Sequence, residues 1–388
     1  MKTLRALHLP ARPEVLDRLG DLSAILDGSA AFVPVPDDPR DVAALRDALG
    51  VGEMIDDEIS LVVSTSGTTG VPKGAQHTPG TLAASATATA TRLGGPGNWL
   101  LALAPHHIAG VQVLLRALAS GFTPAALDVT DGFDPDAFAD ALENLDGPRR
   151  YTSLVPTQLI KVLDSPRATA ALRNADALMV GGAATPIPLL RRAVDAGVPI
   201  TRTYGMSETA GGCVYDGVPL DGVTVRIDDA NPEGVGRVIL GGAVVAHGYR
   251  NRPDHPAFVE PGWFRTDDLG HLDDAGVLSI VGRADEAISS GGLTIVPQVV
   301  EAVILDDPAV AECAVVGVPD DRLGEKVVVF VVASGTTTLD PDQIRGSVTE
   351  RLDRYAAPRE VIELTELPTR GPGKVDRRAL RERYAPRP

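Results

Sequence analysis

Cysteine is nearly absent from this chain. Cys213 and Cys313 are its only two, and they offer neither a disulfide framework nor metal-ligand spacing, so both read as structural. Long hydrophobic runs are missing too. The longest, Val327–Ala333, is far too short to span a bilayer, and its β-branched residues mark it as a buried strand. The segment Met1–His8 lacks the long apolar core of a signal peptide, so the expectation is a soluble, cytoplasmic protein, neither secreted nor membrane-embedded. Positive charge is in deficit: 36 Lys and Arg stand against 52 Asp and Glu, a net charge of −16. Polyanions reward clustered positive charge, so general nucleic-acid or anionic-membrane binding is disfavoured. Only the end of the chain runs the other way, with Arg370, Lys374, Arg377, Arg378, Arg381, Arg383 and Arg387, which read as a solvated basic tail. No internal repeat or low-complexity linker is evident.

What is there is a large, core-forming chain. At 388 residues, 44% of them hydrophobic, it exceeds what one core normally organises, so two or more domains are expected. Short apolar strands alternate with helical patterns through the first half: strands at Trp99–Ala104, Tyr151–Val155, Ala177–Val180 and Val198–Thr203, with helices at Ile108–Ala119, at Thr157–Leu163 and from near Pro186. This is the α/β pattern of helix-covered parallel sheets, which place ligands beyond the strand carboxyl ends. From about Leu220 the runs become shorter, β-type and glycine-rich, as in Val223–Ile227 and Gly236–Leu240, and read as a small antiparallel subdomain. After Asp285 comes a compact α+β unit, with helices at Pro297–Ile304 and Pro341–Leu352 and strands at Cys313–Val318 and Lys326–Ala333.

The most chemically pointed stretch is Thr65-Ser-Gly-Thr-Thr-Gly-Val-Pro-Lys-Gly74, which follows the apolar strand Ile59–Val63. Glycines admit close backbone approach to phosphate oxygens, hydroxyls donate hydrogen bonds, and one lysine supplies a compact positive charge. It is not a Walker A loop, because Gly74 follows Lys73 where Ser or Thr is required and Pro72 precedes it where Gly belongs.

That stretch resembles the signature of the adenylate-forming superfamily of acyl- and aryl-CoA ligases, luciferases and peptide-synthetase adenylation domains. The superfamily's other motifs follow in order: Ala104-Pro-His-His-Ile-Ala-Gly110 resembles its substrate-pocket motif, Tyr204-Gly-Met-Ser-Glu-Thr209 its Mg-ATP motif, and Trp263-Phe-Arg-Thr-Asp-Asp-Leu-Gly270 its ribose segment. Gly282-Arg-Ala-Asp285 resembles its hinge and Gly373-Lys-Val-Asp-Arg377 its catalytic-lysine motif. The resemblance implies a large N-terminal domain over residues 1–284 and a small mobile C-terminal domain over 285–388, hinged at Asp285. It implies ATP and CoA as co-substrates and Mg2+ as cofactor. A carboxylate is first joined to AMP, with release of pyrophosphate, and the CoA thiol then displaces AMP.

Carried over residue by residue, the resemblance gives Thr65, Ser66, Gly67, Thr68, Thr69, Gly70 and Lys73 the β and γ phosphates and lets Ser207 reach the α-phosphate. Glu208 is the Mg2+ partner, since one hard carboxylate beside substrate phosphates suits a magnesium that keeps several waters. Gly182 and Ala183 line the adenine, and Tyr204 stacks on it. Asp268 takes the ribose hydroxyls and Arg283 adds a second ribose contact; Asp267 stands where the family usually has Gly, but Asp268 keeps the spacing to Leu269-Gly270. Lys374, in a Gly/Pro loop, is the catalytic cation of the first half-reaction, and the early part of the basic tail is able to meet nucleotide phosphates. His107 matches the pocket histidine and is the second catalytic candidate beside Lys374, and Gly205 joins it at the acyl site. Neighbouring His106 and His107 do not read as a zinc site, because adjacent side chains on an extended segment point to opposite sides and no third ligand is near.

Three features resemble one branch, the o-succinylbenzoate–CoA ligases of menaquinone biosynthesis: the short chain, the adenine segment Gly181-Gly-Ala-Ala184, and the run Glu208-Thr-Ala-Gly-Gly-Cys-Val-Tyr-Asp216, which is similar to actinobacterial members. Such a substrate carries two carboxylates, and the one that does not react needs a cation. Arg116 stands alone on the apolar helix Val111–Leu118, nine residues after His107. Burying it requires an anion, either the substrate's second carboxylate or an Asp or Glu of the fold. Other aryl- or acyl-CoA ligases, or a non-catalytic nucleotide-binding relative, are the alternative readings. Both a monomer and a homo-oligomer fit the sequence.

Overall fold

The computed structural model describes residues 1–65, 72–258, 260–335, 338–370 and 374–384, with Arg370 and Lys374 described by their backbone alone. By contacts the chain forms two compact units. One comprises residues 1–226, 239–265 and 274–278; the other comprises 227–238, 266–273 and 279–388.

Two mixed sheets organise the first unit. In the smaller, Lys2–His8, Ala31–Val35 and Leu61–Thr65 run parallel, flanked by the antiparallel edge strands Met54–Ile55 and Lys73–His77. In the larger, Ile200–Met206, Ala177–Val180, Arg150–Leu154, Asn98–Leu101 and Ala125–Ala126 lie parallel in that order. Gly211–Tyr215 and Val218–Pro219 extend it antiparallel beyond Ile200–Met206. Many helices open on proline, which has no N–H to leave unsatisfied in the first turn. Asp38, Thr78, Asp134 and Ser165 cap those that begin at Pro39, Pro79, Pro135 and Pro166.

The helix Ile108–Ala119 forms over the predicted residues. Every residue from Gly110 to Ala117 is buried, Gln112 and Arg116 included. A helix apolar all round is a core helix. It belongs to the cluster that contains Leu22, Ile25, Trp99, Val111, Leu114, Tyr151, Met179 and Tyr215. The other face of the large sheet packs Leu100, Leu154, Leu178 and Val180 against Phe138, Leu142, Leu159 and Leu172.

A further sheet takes Val223–Asp228, Gly236–Gly242, Trp263–Leu272 and Leu278–Arg283 in that order. Within the second unit the long hairpin Val310–Asp320 and Gly324–Ala333 forms the core sheet, with Ile288–Ser290, Leu293–Ile295 and Glu360–Leu364 added at its sides. Its side chains divide by the two-residue period of a strand. Val315, Val327, Val329 and Val331 pack with Val300, Ile304, Ile344 and Val348 of the helices Pro297–Ile304 and Pro341–Arg351. Ala314, Val316, Val318, Val328 and Phe330 pack with Leu380. Of the residues read as a solvated tail, Arg377, Arg378, Arg381 and Arg383 therefore lie on a helix, Arg377–Tyr384, whose Leu380 is fully buried, while Arg387 lies outside the described residues. A sheet apolar on both faces needs a cover on each, and this helix is the second.

Candidate active site

The lysine that closes the Gly/Thr stretch begins a strand. Leu61–Thr65 pairs antiparallel with Lys73–His77, Thr65 opposite Lys73. Ser66, Gly67, Thr68, Thr69 and Gly70 lie outside the described residues. Asn251 braces the start of the lysine strand, donating to the Pro72 carbonyl at 2.9 Å and accepting from the Gly74 N–H at 3.4 Å.

Tyr204, Gly205 and Met206 end one strand, Ser207–Thr209 makes a short 3-10 turn, and Gly211–Tyr215 returns antiparallel. The reversal brings backbone against backbone. A Cβ at Gly205 would lie 2.1 Å from the Gly211 carbonyl oxygen, so only glycine fits. Ala210 takes the left-handed region at φ 52° to complete the turn. Glu208 is buried there, and the Tyr249 hydroxyl donates to its carboxylate at 2.6 Å. The same tyrosine ring lies under Lys73, whose Nζ is 4.6 Å from the ring centroid. Two sequence-predicted residues, Lys73 and Glu208, are thus joined by one the sequence reading missed. No local periodicity marks Tyr249; it enters through a backbone bridge between Tyr249 and Ala75.

His77 was also missed. Its Nε2 donates to the Ser207 carbonyl at 2.7 Å, tying the lysine strand to the Glu208 turn. Burial pushes its pKa down to about 4, against the upward pull of that hydrogen bond. The ring is neutral at pH 7.

Gly182 and Ala183 lie just past the carboxyl end of Ala177–Val180, exposed, with Gly182 at φ 82°. The neighbouring parallel strand carries Tyr204, two residues beyond the pair Arg202 and Val180. The structure therefore puts the predicted adenine residues at one sheet end.

His107 stands at the N-cap of Ile108–Ala119 with extended backbone. The expectation that His106 and His107 diverge is wrong: their ring centroids are 4.2 Å apart. Residues 105 and 106 form a turn rather than an extended segment, which rotates the two side chains toward one side. Burial, with His107 alongside, lowers the His106 pKa to about 4.

Arg116 is 4% exposed. It donates to the Ser85 hydroxyl at 3.3 Å, contacts the Met179 sulfur at 3.8 Å and lies over Trp99, and its Nε has no partner. Among the described residues no carboxylate is paired with it. One helical turn earlier, Gln112 donates to the Ala210 carbonyl at 2.6 Å and leaves its buried Oε1 unpartnered. A Cβ at Gly211 would lie 3.8 Å from the Arg116 guanidinium, so this cation sits directly behind the Glu208 turn.

In the second unit, Arg283 meets Asp268 at 3.3 Å and grips Asp285 with two hydrogen bonds of 2.9 and 2.8 Å. Asp268 is buried, whereas Asp267 is exposed and pairs with Arg237 at 2.9 Å. Alternation along the strand Trp263–Leu272 buries one carboxylate and exposes the other, although Arg283 also reaches Asp267 at 3.8 Å. Lys374 has a described backbone: it pairs with Arg370 in a two-stranded hairpin. Cys213 is buried and its thiol is pushed up to about 12 by burial; the thiol of buried Cys313 is likewise raised, so neither is a nucleophile. No helix of the described residues is long and apolar enough to cross a membrane.

A family model of AMP-binding enzymes matches residues 15–250, and one of the AMP-binding enzyme C-terminal domain matches residues 299–374. The chain belongs to the AMP-binding enzyme family. It is 52% identical over 386 residues to a probable 2-succinylbenzoate–CoA ligase of Mycobacterium tuberculosis (strain CDC 1551 / Oshkosh), across 98% of this chain and 99% of the relative. It is 32% identical over 376 residues to a 2-succinylbenzoate–CoA ligase of Bacillus thuringiensis subsp. konkukian, across 91% of this chain and 74% of the relative. Among solved structures it is similar to o-succinylbenzoate CoA synthetase (MenE) from Bacillus subtilis in complex with the acyl-adenylate intermediate OSB-AMP. That likeness has a TM-score of 0.82 at 25% identity, over 100% of this chain and 88% of the other. ATP-bound MatB from Rhodopseudomonas palustris shares the fold, with a TM-score of 0.82 at 23% identity over 99% of this chain and 89% of the other.

Proposed function

We propose that this chain is an AMP-forming acid–thiol ligase that activates 2-succinylbenzoate with ATP and transfers the acyl group to CoA. One carboxylate oxygen attacks the α-phosphorus and pyrophosphate leaves; the CoA sulfur then attacks the acyl carbon and AMP leaves. The observation that carries the choice of acid is the buried Arg116, paired with no carboxylate among the described residues, directly behind the Glu208 turn. A second substrate carboxylate supplies the anion it lacks, and His107 and Gly205 belong to the same acyl site.

Joining two anions requires that charge be neutralised as it grows on the phosphates. Lys73, oriented by Tyr249, serves the β and γ phosphates with the Thr65–Gly70 stretch, and Ser207 serves the α-phosphate. Glu208 is a single buried hard carboxylate at a phosphate site, which fits Mg2+; when bound, the ion offsets the charge of the departing pyrophosphate. Gly182, Ala183 and Tyr204 serve the adenine, Asp268 and Arg283 the ribose. Lys374 supplies the cation of the adenylation step, and residues 285–388, hinged at Asp285, turn away before thioester formation. The same reading gives the enzyme a cytoplasmic role in menaquinone biosynthesis.

The test is ATP–pyrophosphate exchange over 2-succinylbenzoate, benzoate and octanoate, followed by the same panel with CoA. Exchange that depends on 2-succinylbenzoate, with thioester formed only when CoA is added, is expected. Exchange with the monoacids alone would make this another acyl-CoA ligase, and no exchange with any acid would make it a nucleotide binder without catalysis.

A further inference from the structure

The second unit holds a cluster of charges that this reaction scheme leaves unused. The Arg377 guanidinium bonds both oxygens of Glu301 at 2.6 and 2.9 Å, meets Glu286 at 3.2 Å, and donates through Nε to the Val315 carbonyl at 3.3 Å. Glu301 also accepts from the Val315 N–H at 2.7 Å, and Gln298 donates to Glu286 at 2.5 Å. These side chains are largely withdrawn from water, at 14% exposure for Arg377, 12% for Glu301 and 20% for Glu286. Burial raises the Glu301 pKa, which the arginine opposes. Desolvated ion pairs contribute little net stability compared with apolar side chains of the same size, so their geometry is the more telling property.

That geometry is specific. Arg377 is the first residue of the helix Arg377–Tyr384 and stands three residues after Lys374. Asp376 between them accepts from the Ala379 N–H at 3.1 Å, and its own N–H donates to the Pro368 carbonyl at 2.7 Å, closing the base of the Arg370 and Lys374 hairpin. Glu286 belongs to the turn Ala284–Glu286, next to Asp285. The helix is anchored again at its far end, where Tyr384 donates to Glu360 at 2.5 Å and Lys326 meets the same carboxylate at 2.7 Å.

We propose that Arg377 is a positioning residue: through Glu301 and Glu286 it fixes the Lys374 hairpin to the Asp285 turn, so that both move as one rigid piece. The inference rests on the reading of Lys374 and Asp285 given above. A planar, five-donor arginine bridges two carboxylates and a carbonyl at once, which an ammonium cannot reproduce.

The test compares Arg377→Lys, the double variant Arg377→Met/Glu301→Gln and Lys374→Ala in two assays: acyl-AMP formation from 2-succinylbenzoate and ATP, and thioester formation from preformed acyl-AMP and CoA. The double variant removes two buried charges together and keeps an acceptor for the Val315 N–H. It should lose about 10- to 100-fold in kcat of adenylation, the scale of a small misplacement of a catalytic group, with KM for ATP and the thioester step within about threefold. Arg377→Lys should fall between it and the parent, and decides the matter alone if the double variant does not fold. Equal losses in both assays, or undiminished adenylation where Lys374→Ala is inactive, would overturn the positioning role. If Lys374→Ala itself keeps full adenylation, the lysine assignment falls first, and the inference goes with it.

Discussion

At the scale of single residues, Arg116 illustrates how a side chain can be legible in sequence while its partner is not. One arginine in an otherwise apolar helix announces a buried charge, and the structure places it at 4% exposure. Sequence could not tell whether a carboxylate of the fold met it. It meets instead a hydroxyl, a thioether and an indole face, all weak partners for a guanidinium. With the second carboxylate of the substrate as the missing anion, Arg116→Leu should weaken use of 2-succinylbenzoate by about 2–5 kcal/mol, the usual cost of unpairing a desolvated charge. Arg116→Lys should be intermediate, keeping the charge and losing the planar fork. Monocarboxylate aryl acids should lose little. The measurement is kcat/KM for a dicarboxylate and a matched monocarboxylate across the three proteins; a parallel fall in both would make Arg116 a structural residue. Tyr249 and His77 were illegible for the opposite reason. Their roles depend on a strand pairing between residues 61–65 and 73–77 and on contacts far away in sequence, which no local pattern encodes.

At the scale of elements, the strands and core helices were legible because period and composition suffice for segments that bury apolar faces. Ile108–Ala119, Ala177–Val180 and Pro297–Ile304 form over the residues their patterns mark. The helix Arg377–Tyr384 was not, since it carries one deeply buried anchor, Leu380, among charged neighbours; the fully apolar strands it covers were the available clue. The hairpin Leu61–Thr65 and Lys73–His77 has a measurable signature through His77. Its pKa is about 4 in the folded chain and about 6.5 when exposed, so between those values the unfolded state binds the extra proton. Stability from this residue is therefore complete above about pH 6.5 and declines as pH falls toward 4, by roughly 3 kcal/mol in total. Urea midpoints taken across that range should fall more steeply for the parent than for His77→Gln. Half-buried His106 titrates in the same window in both proteins and cancels in the comparison. Coincident pH profiles would mean that His77 is protonated without penalty in the fold.

At the scale of the whole molecule, two compact units were foreseeable from length, whereas the interleaving of residues 227–238 and 266–273 with 279–388 was not. Those segments are a hairpin loop with its flanking strand ends and most of the strand Trp263–Leu272, and which unit they join leaves no trace in composition. The proposed swivel at Asp285 lies inside the second unit, whose last segment begins at residue 279, so it would turn residues 285–388 and not the whole unit. Asp285 lies in the short helical turn Ala284–Glu286, its carboxylate held by both arms of Arg283. Proline prefers the φ of such a turn and resists leaving it. Asp285→Pro should thus hold the turn in its present form, letting one half-reaction proceed while overall turnover drops by at least about tenfold, equal to about 1.4 kcal/mol of barrier. Asp285→Asn separates backbone restraint from the loss of the Arg283 ion pair, because it keeps φ free and removes the charge. The two half-reactions and the complete reaction should be timed for both variants. Only the proline should split them. Full turnover by Asp285→Pro would rule this residue out as the pivot, and equal damage from Asn and Pro would assign the effect to the carboxylate instead.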